Sequence, residues 1–463
     1  MKIFGRRDLP ETGPQLVSHI TPSLVLDAPV APAPPPRPRP LTLVKADQMN
    51  SALRTRALQQ IDPAAVAEMP ISALQRQLEQ VIHDIANEER YELSGREQMR
   101  LAEELAQDMM GYGPIEPLLR DDEVTDIMVN APDSVYVERR GKIELTDVQF
   151  RDNEHIAALA QKIVARVGRR IDESSPMVDA RLQDGSRVNV IFPPLAIDSP
   201  CISIRKFSRR RLGLTEMVEN GTMTTGVARM LGIAARARLN VLIAGGTGSG
   251  KTMLLNAMSH MIDHGERIVS IEDAAELKLQ QRHVIRLETR PSNLEGTGQV
   301  TQRDLVHNAL RMRPDRIILG EVRGVEAFDM LQAMNTGHDG SMCTIHANSA
   351  RETLTRVENM VQMGQAQLPL RAIRQQIVGA IDLIVHVERM HDGQRRVTQI
   401  TDVCNLEGDI ITTNDIALFE FEREDAQGHI IGHYRASHIR PSFQSRLEYY
   451  NLARTWATAS DEV

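Results

Sequence analysis

The chain has 463 residues, a formal net charge of −8 and only 3% aromatic content. That length allows two or three domains with full cores, and an acidic, aromatic-poor chain argues against a general nucleic-acid binder. Three scattered cysteines, Cys201, Cys343 and Cys404, without a C-x-x-C pair, suggest neither a zinc site nor a disulfide framework and fit a reducing cytosol.

Residues 1–44 read as a tail. They lack the apolar core of a signal peptide, and Pro29–Pro40 is a polyproline-prone run suited to a spacer or a docking peptide. Over 45–110 the pattern is helical: Leu74, Leu78, Ile82 and Ile85 make one apolar stripe, and Ser94-Gly95-Arg96-Glu97 spells a capping box. Three short helices in a small bundle are expected.

Residues 111–212 switch to short β-branched runs at Val124–Val129, Ser134–Glu138, Val188–Phe192 and Cys201–Phe207, with a helix over Ile156–Val167. This reads as an α+β domain ending in a linker near Arg209-Arg210-Arg211. A last domain is placed at 213–463, and from about 220 to 390 its strands alternate with helices, the sign of a parallel sheet covered on both faces. Its strands are expected at Asn240–Ala244, Arg267–Ile271, Arg316–Leu319, Ser341–Ile345 and Leu383–Val387, and 391–463 reads as less regular. No apolar run approaches the ~18–20 residues of a membrane span. Any work at a membrane is therefore expected from the cytoplasmic side, through partners.

Residues Gly245, Gly246, Thr247, Gly248, Ser249, Gly250, Lys251 and Thr252 spell G-x-x-x-x-G-K-T between an apolar strand and a helix-compatible stretch. Glycines let backbone N–H groups curl around a polyphosphate, and the new helix offers its orphan donors and positive end. Lys251 would reach the β/γ-phosphates, and the Thr252 hydroxyl would ligate the Mg²⁺ that accompanies a nucleoside triphosphate.

In an open parallel sheet ligands bind beyond the carboxyl ends of the strands. Glu272-Asp273, Gly320-Glu321 and His346 each follow such a strand. Glu321 stands where a Walker-B acid is expected, with Gly320 in place of the usual Asp. It would support the metal through water, and Asp315, at the strand's other end, should be too distant. Glu272 is the candidate for orienting the attacking water, with Asp273 and Glu276 as rivals; one of the three could instead cap a helix after Asp273. His346 could sense the γ-phosphate, and His338, in the polar loop Asn335–Gly340, is a second candidate. For transition-state charge the candidates are Arg181, Arg187, Arg205 and Arg323.

The ordered set G-G-T-G-S-G-K-T, I-V-S-I-E-D-A-A-E-L (268–277), R-I-I-L-G-E-V-R-G (316–324) and N-T-G-H-D-G-S-M-C-T-I-H-A-N (335–348) resembles the secretion ATPase superfamily. The nearest likeness is to CpaF-type ATPases of tight-adherence (Flp) type IV pili, and it extends to Y-G-P-I-E-P-L-L (112–119), T-D-I-M-V-N (125–130) and D-A-R-L-Q-D-G-S-R-V-N-V (179–190). The resemblance implies a RecA-like ATPase domain behind a PAS-like α+β domain and a helical bundle. It also implies a homohexamer with ATP between the two domains, arginine fingers matching Arg181, Arg187 or Arg205, and an inner-membrane platform protein as partner. The scattered cysteines depart from the tetracysteine zinc module of type II secretion ATPases. A type IV secretion traffic ATPase moving protein or DNA–protein substrates is the alternative. A RecA-like nucleic-acid motor would need a basic, aromatic-bearing groove, which this composition disfavours.

Overall fold

The computed structural model describes residues 69–463 except 140, 208–211, 291, 293–296 and 366, together with 52–54, 56–57 and 59–61. The Pro-rich tail and the Arg209-Arg210-Arg211 linker lie outside the described residues. The described residues fall into two compact units that divide between Glu103 and Glu104.

In the first unit, the helix Ile71–Glu88 buries Leu74, Leu78, Ile82 and Ile85, the expected stripe. The next helix, Gly95–Met110, begins in this unit, continues into the second, and opens on the expected capping box. Ser94 N–H donates to Glu97 Oε2 at 2.8 Å, and Glu97 N–H donates to Ser94 Oγ at 3.3 Å. Two orphan donors of the first turn are thereby satisfied.

The second unit carries two sheets. Among the described residues, the first has six antiparallel strands: β1 (Val124–Ala131), β2 (Ser134–Arg139), β3 (Lys142–Leu145), β4 (Met177–Arg181), β5 (Arg187–Ile191) and β6 (Cys201–Arg205), in the order β3-β2-β1-β6-β5-β4. The helix Asn153–Ala165 supplies Ile156, Leu159, Ile163 and Val164 to its core. β3 and β4 were not foreseen. β3 is exposed along its whole length, so it lacks the alternation that marks a half-buried strand.

Among the described residues, the second sheet has nine strands in the order β15-β14-β13-β12-β7-β11-β10-β8-β9. They are β7 (Val241–Ala244), β8 (Ile268–Glu272), β9 (Val284–Glu288), β10 (Arg316–Val322), β11 (Met342–Ile345), β12 (Leu383–Arg389), β13 (Arg395–Glu407), β14 (Ile410–Glu424) and β15 (Ile430–Ala436). From β12 to β9 the pairing is parallel. β7, β8 and β11 are buried at every residue, as helices on both faces require. Alternation assigns Val241 and Ile243 to one core and Leu242 and Ala244 to the other. The α/β reading with a parallel-sheet core is borne out.

Two expectations change. β10 does not stop at Leu319 but runs to Val322, and its register against β11 slips between Leu319↔Cys343 and Val322↔Ile345. Gly320 and Glu321 together face Thr344 alone, a β-bulge, which re-aims side chains. The Thr344 hydroxyl fixes it by donating to Gly320 O at 2.6 Å.

The second change concerns 391–463, which is regular. β13–β15 extend the sheet antiparallel from β12, and helices Gln444–Tyr449 and Ala453–Asp461 follow. Phe443 and Trp456, edge-to-face at 5.2 Å, anchor those helices in the core. Gly226 admits the last one: a Cβ there would stand 2.6 Å from the carbonyl carbon of Glu462.

A buried ion pair locks this extension. Arg396 Nη2 lies 2.8 Å from Asp392 Oδ2, and Nη1 donates to Oδ1 at 3.1 Å, with side chains 7% and 1% exposed. Burial pushes the Asp392 carboxyl up. Hydrogen bonds from Arg396 and from the N–H groups of Gln394 and Ile430 outweigh that and hold it at about 2, below the ordinary 3.8. The folded value is the lower one, so the stabilisation is present above the unfolded value and is lost as pH falls through the folded value. Asp392→Asn strands a buried guanidinium and should cost about 3–5 kcal/mol at neutral pH. In thermal melts the gap between parent and variant should close between roughly pH 5 and pH 2.

Candidate functional site

β7 delivers the chain to residues 245–252 at the carboxyl edge of the parallel sheet. The glycines are dictated by space and backbone. A Cβ at Gly245 would lie 2.1 Å from Val387 O, and Gly248 and Gly250 take φ of +70° and +99°, where side chains are strained. The helix Lys251–Ser259 starts on the last two residues of the motif. Lys251 is buried, and its Nζ donates to Gly245 O at 2.9 Å and Gly246 O at 2.8 Å. Burial lowers its pKa, and the nearby Glu321 charge opposes that. The Ser249 hydroxyl is buried without a hydrogen-bond partner. Thr252 opens onto a cleft shared with Arg187, Asn256, Glu276 and Lys278.

Glu272 closes β8 and is 2% exposed. Its Oε2 accepts from the N–H groups of Glu276 at 2.6 Å and Leu277 at 2.8 Å, while Oε1 is buried without a partner. No helix follows Asp273; the chain is irregular up to β9. The capping alternative is corrected accordingly: Glu272 ties down a turn with one oxygen and keeps the other available. Burial raises its pKa, against the pull of those two backbone bonds. Gly320 is explained by the same carboxylate, because a Cβ there would meet Glu272 Cγ at 2.9 Å. A Walker-B aspartate has no room.

Glu321, carried by the bulge, gathers charge around itself. Arg323 Nη2 donates to its Oε2 at 2.7 Å, and His346 Nε2 lies 2.8 Å from its Oε1. Burial would raise the Glu321 pKa, but Arg323, His346 and Lys251 outweigh it and the net shift is downward. Burial, with Lys251 second, lowers the His346 pKa, which favours the neutral ring at pH 7. Asp315 sits at the far end of β10, as expected, accepting from Arg267 N–H at 2.7 Å.

The arginines separate. Arg181 Nη2 pairs with Glu288 Oε1 at 2.8 Å, and Arg187 Nη2 reaches Glu276 Oε1 at 3.2 Å and Ala274 O at 3.1 Å. Both thus cross from the first sheet to the β8–β9 region. Arg205 pairs within its own sheet, with Asp126 at 3.2 Å, and also lines the cleft beside Thr252. His338 is not brought to the loop. It precedes β11, at the sheet's amino edge, with Nδ1 3.3 Å from Ala333 O at the end of the preceding helix. His346 follows the same strand at the opposite edge, about 13 Å along a four-residue strand.

A family model described as "Type II/IV secretion system protein" matches residues 108–417. The chain belongs to the type II/IV secretion system protein family. A putative conjugal transfer protein of Mycobacterium tuberculosis is 39% identical over 310 residues, 66% of this chain and 88% of the relative. The type IV secretion system protein VirB11 of Brucella suis is 32% identical over 311 residues, 61% and 86% of the two chains. The solved VirB11 ATPase from the Brucella suis type IV secretion system, in complex with sulphate, is 30% identical with a TM-score of 0.34, covering 62% of this chain and 91% of that one.

In this member of the type II/IV secretion family the residues present fit a magnesium–nucleotide. The glycine cradle admits no Cβ at Gly245, and a buried carboxylate oxygen on Glu272 stands unpartnered. Among the described residues no three carboxylate, imidazole or thiolate groups form a metal cage. Mg²⁺ is commonly held by one or two protein oxygens plus substrate phosphates, and Thr252 and Glu321 would supply the protein's share. Bound there, it would neutralise charge on the β- and γ-phosphates.

Proposed function

We propose that this chain is an ATP hydrolase that powers a secretion-type machine, and that the machine is a tight-adherence type IV pilus. The observation that carries the hydrolase reading is the Glu272 carboxylate, one oxygen fixed by backbone and the other buried and free, in the same sheet as a complete phosphate loop. A carboxylate so held can orient a water and accept its proton. The loop and Lys251 bind the phosphates. Glu321, ionised and braced by Arg323, supports the metal's water shell, and neutral His346 donates toward the γ-phosphate or reports its loss. Arg187, which lines the cleft beside Thr252 and reaches across from the first sheet, is the favoured finger, with Arg205 in the same cleft and Arg181 as the alternatives.

The working form under this reading is a cytoplasmic homohexamer docked on an inner-membrane platform protein. Members named for conjugal transfer and type IV secretion support a second reading, a traffic ATPase for protein or DNA–protein substrates. One strain comparison separates them. A chromosomal Lys251→Ala strain should lose surface pili and keep any conjugal or effector transfer if the pilus reading holds. Lost transfer with intact pili would establish the traffic reading, and turnover lost with both intact would refute a motor role.

A further inference from the structure

Arg389 ends β12 and Arg395 begins β13, and the antiparallel register sets them directly opposite each other. Like charges facing across a strand pair are destabilising, and a local conflict of this kind points to a functional demand. Each guanidinium is turned onto a backbone carbonyl. Arg395 Nε donates to Gly248 O, inside the phosphate loop, at 2.9 Å. Arg389 donates to Gly141 O in the β2–β3 turn, and its Nη1 lies 3.6 Å from Glu138 Oε1. The Arg395 stem also lies across the loop's glycine step: a Cβ at Gly250 would be 3.1 Å from Arg395 Cδ. Burial, and then Arg389, lower the Arg395 pKa.

The Gly248 carbonyl and the Ser249 N–H belong to one peptide plane and point in opposite directions. With the carbonyl held toward Arg395, the Ser249 N–H faces inward, where it donates to Gly246 O at 3.4 Å. That long bond is one an anion could replace, since loop N–H groups are the donors a phosphate takes. We infer that Arg395 is a positioning residue for the nucleotide's phosphates: it fixes the Gly248–Ser249 peptide so that its N–H lines the loop. Arg389, anchored on the β2–β3 turn, completes the brace from the first sheet. The inference deepens the nucleotide-binding reading above and rests on it.

The test uses the full chain and measures affinity for MgADP and MgATP in Arg395→Met, which keeps the stem over Gly250 and removes the donor, and in Arg395→Lys, which restores one. Arg395→Met should weaken both nucleotides by about tenfold or more, the loss of a charge-assisted bond. Its kcat should stay within about threefold and its melting temperature near the parent's, whereas Arg395→Lys should recover most of the affinity. A purely packing role would lower the melting temperature and leave lysine no better than methionine, overturning the inference. Parent-like affinity in Arg395→Met overturns it too. A parent chain that binds no nucleotide would instead bring down the hydrolase reading itself. Should Arg395→Met not fold, the contrast between Arg395→Lys and Arg395→Ala decides.

Discussion

A Lys251→Ala chain is expected to hydrolyse ATP about 10²–10³-fold more slowly than the parent, the cost of removing one preorganised donor from a site of developing charge. Phosphoryl transfer needs little covalent chemistry from the protein, so the loss is almost wholly electrostatic. The melting temperature should hardly move. The Lys251 ammonium is buried and its pKa is depressed by burial. Removing it relieves a desolvated charge while giving up its bonds to the Gly245 and Gly246 carbonyls. Lost turnover in a chain that melts like the parent is the signature of a site residue rather than a structural one. Parent-like turnover, measured by phosphate release, would remove the loop from the chemistry.

Glu272→Gln should lower kcat by about 10²–10⁴-fold, the span assigned to a positioned acid or base, with nucleotide affinity retained. The amide oxygen can still accept from the N–H groups of Glu276 and Leu277, so the turn survives. The vacant partner position would then face an NH₂ group that cannot take a proton. Because burial raises the Glu272 pKa, the acid limb of the parent's pH–kcat profile should lie above an ordinary glutamate's, since the base works only when deprotonated. That limb should vanish in the variant. Glu276→Gln serves as the contrast. Its carboxylate is engaged by Arg187, so its loss should move kcat by a few-fold only. An active Glu272→Gln beside an inactive Glu276→Gln would exchange the two roles.

Much of this site was legible in the residues. The phosphate loop announces itself because its glycines, lysine and threonine stand at a fixed spacing between an apolar strand and a helix, a pattern carried by contiguous residues. The buried strands β7, β8 and β11 read as short apolar runs because helices cover both faces. The bulge in β10 was not legible, since an extra residue shows only against the partner's register, and without it Glu321 reads as lying beyond the strand. Nor was the place of His338, whose polar loop looks the same whichever sheet edge it occupies. β13 and β14 were missed because β13 carries buried polar residues, Arg396, Thr401 and Asp402, among its apolar ones, and β14 alternates weakly and ends in an exposed run. Arg395 was invisible for a different reason. It joins Gly248 across 147 positions of chain, and no short-range spacing encodes that contact.

The doubled step at Gly320-Glu321 has an evolutionary corollary. Leu319 and Val322 stand three residues apart yet enter one core, so the extra residue absorbs a change of parity that a regular strand would pass on to everything after it. Excising Gly320 would set Glu321 opposite Thr344 in regular pairing, leave the core on either side undisturbed, and remove the local kink that presents the Glu321 carboxylate to His346. Loss of one residue there would thus spare the fold and fall on the site alone.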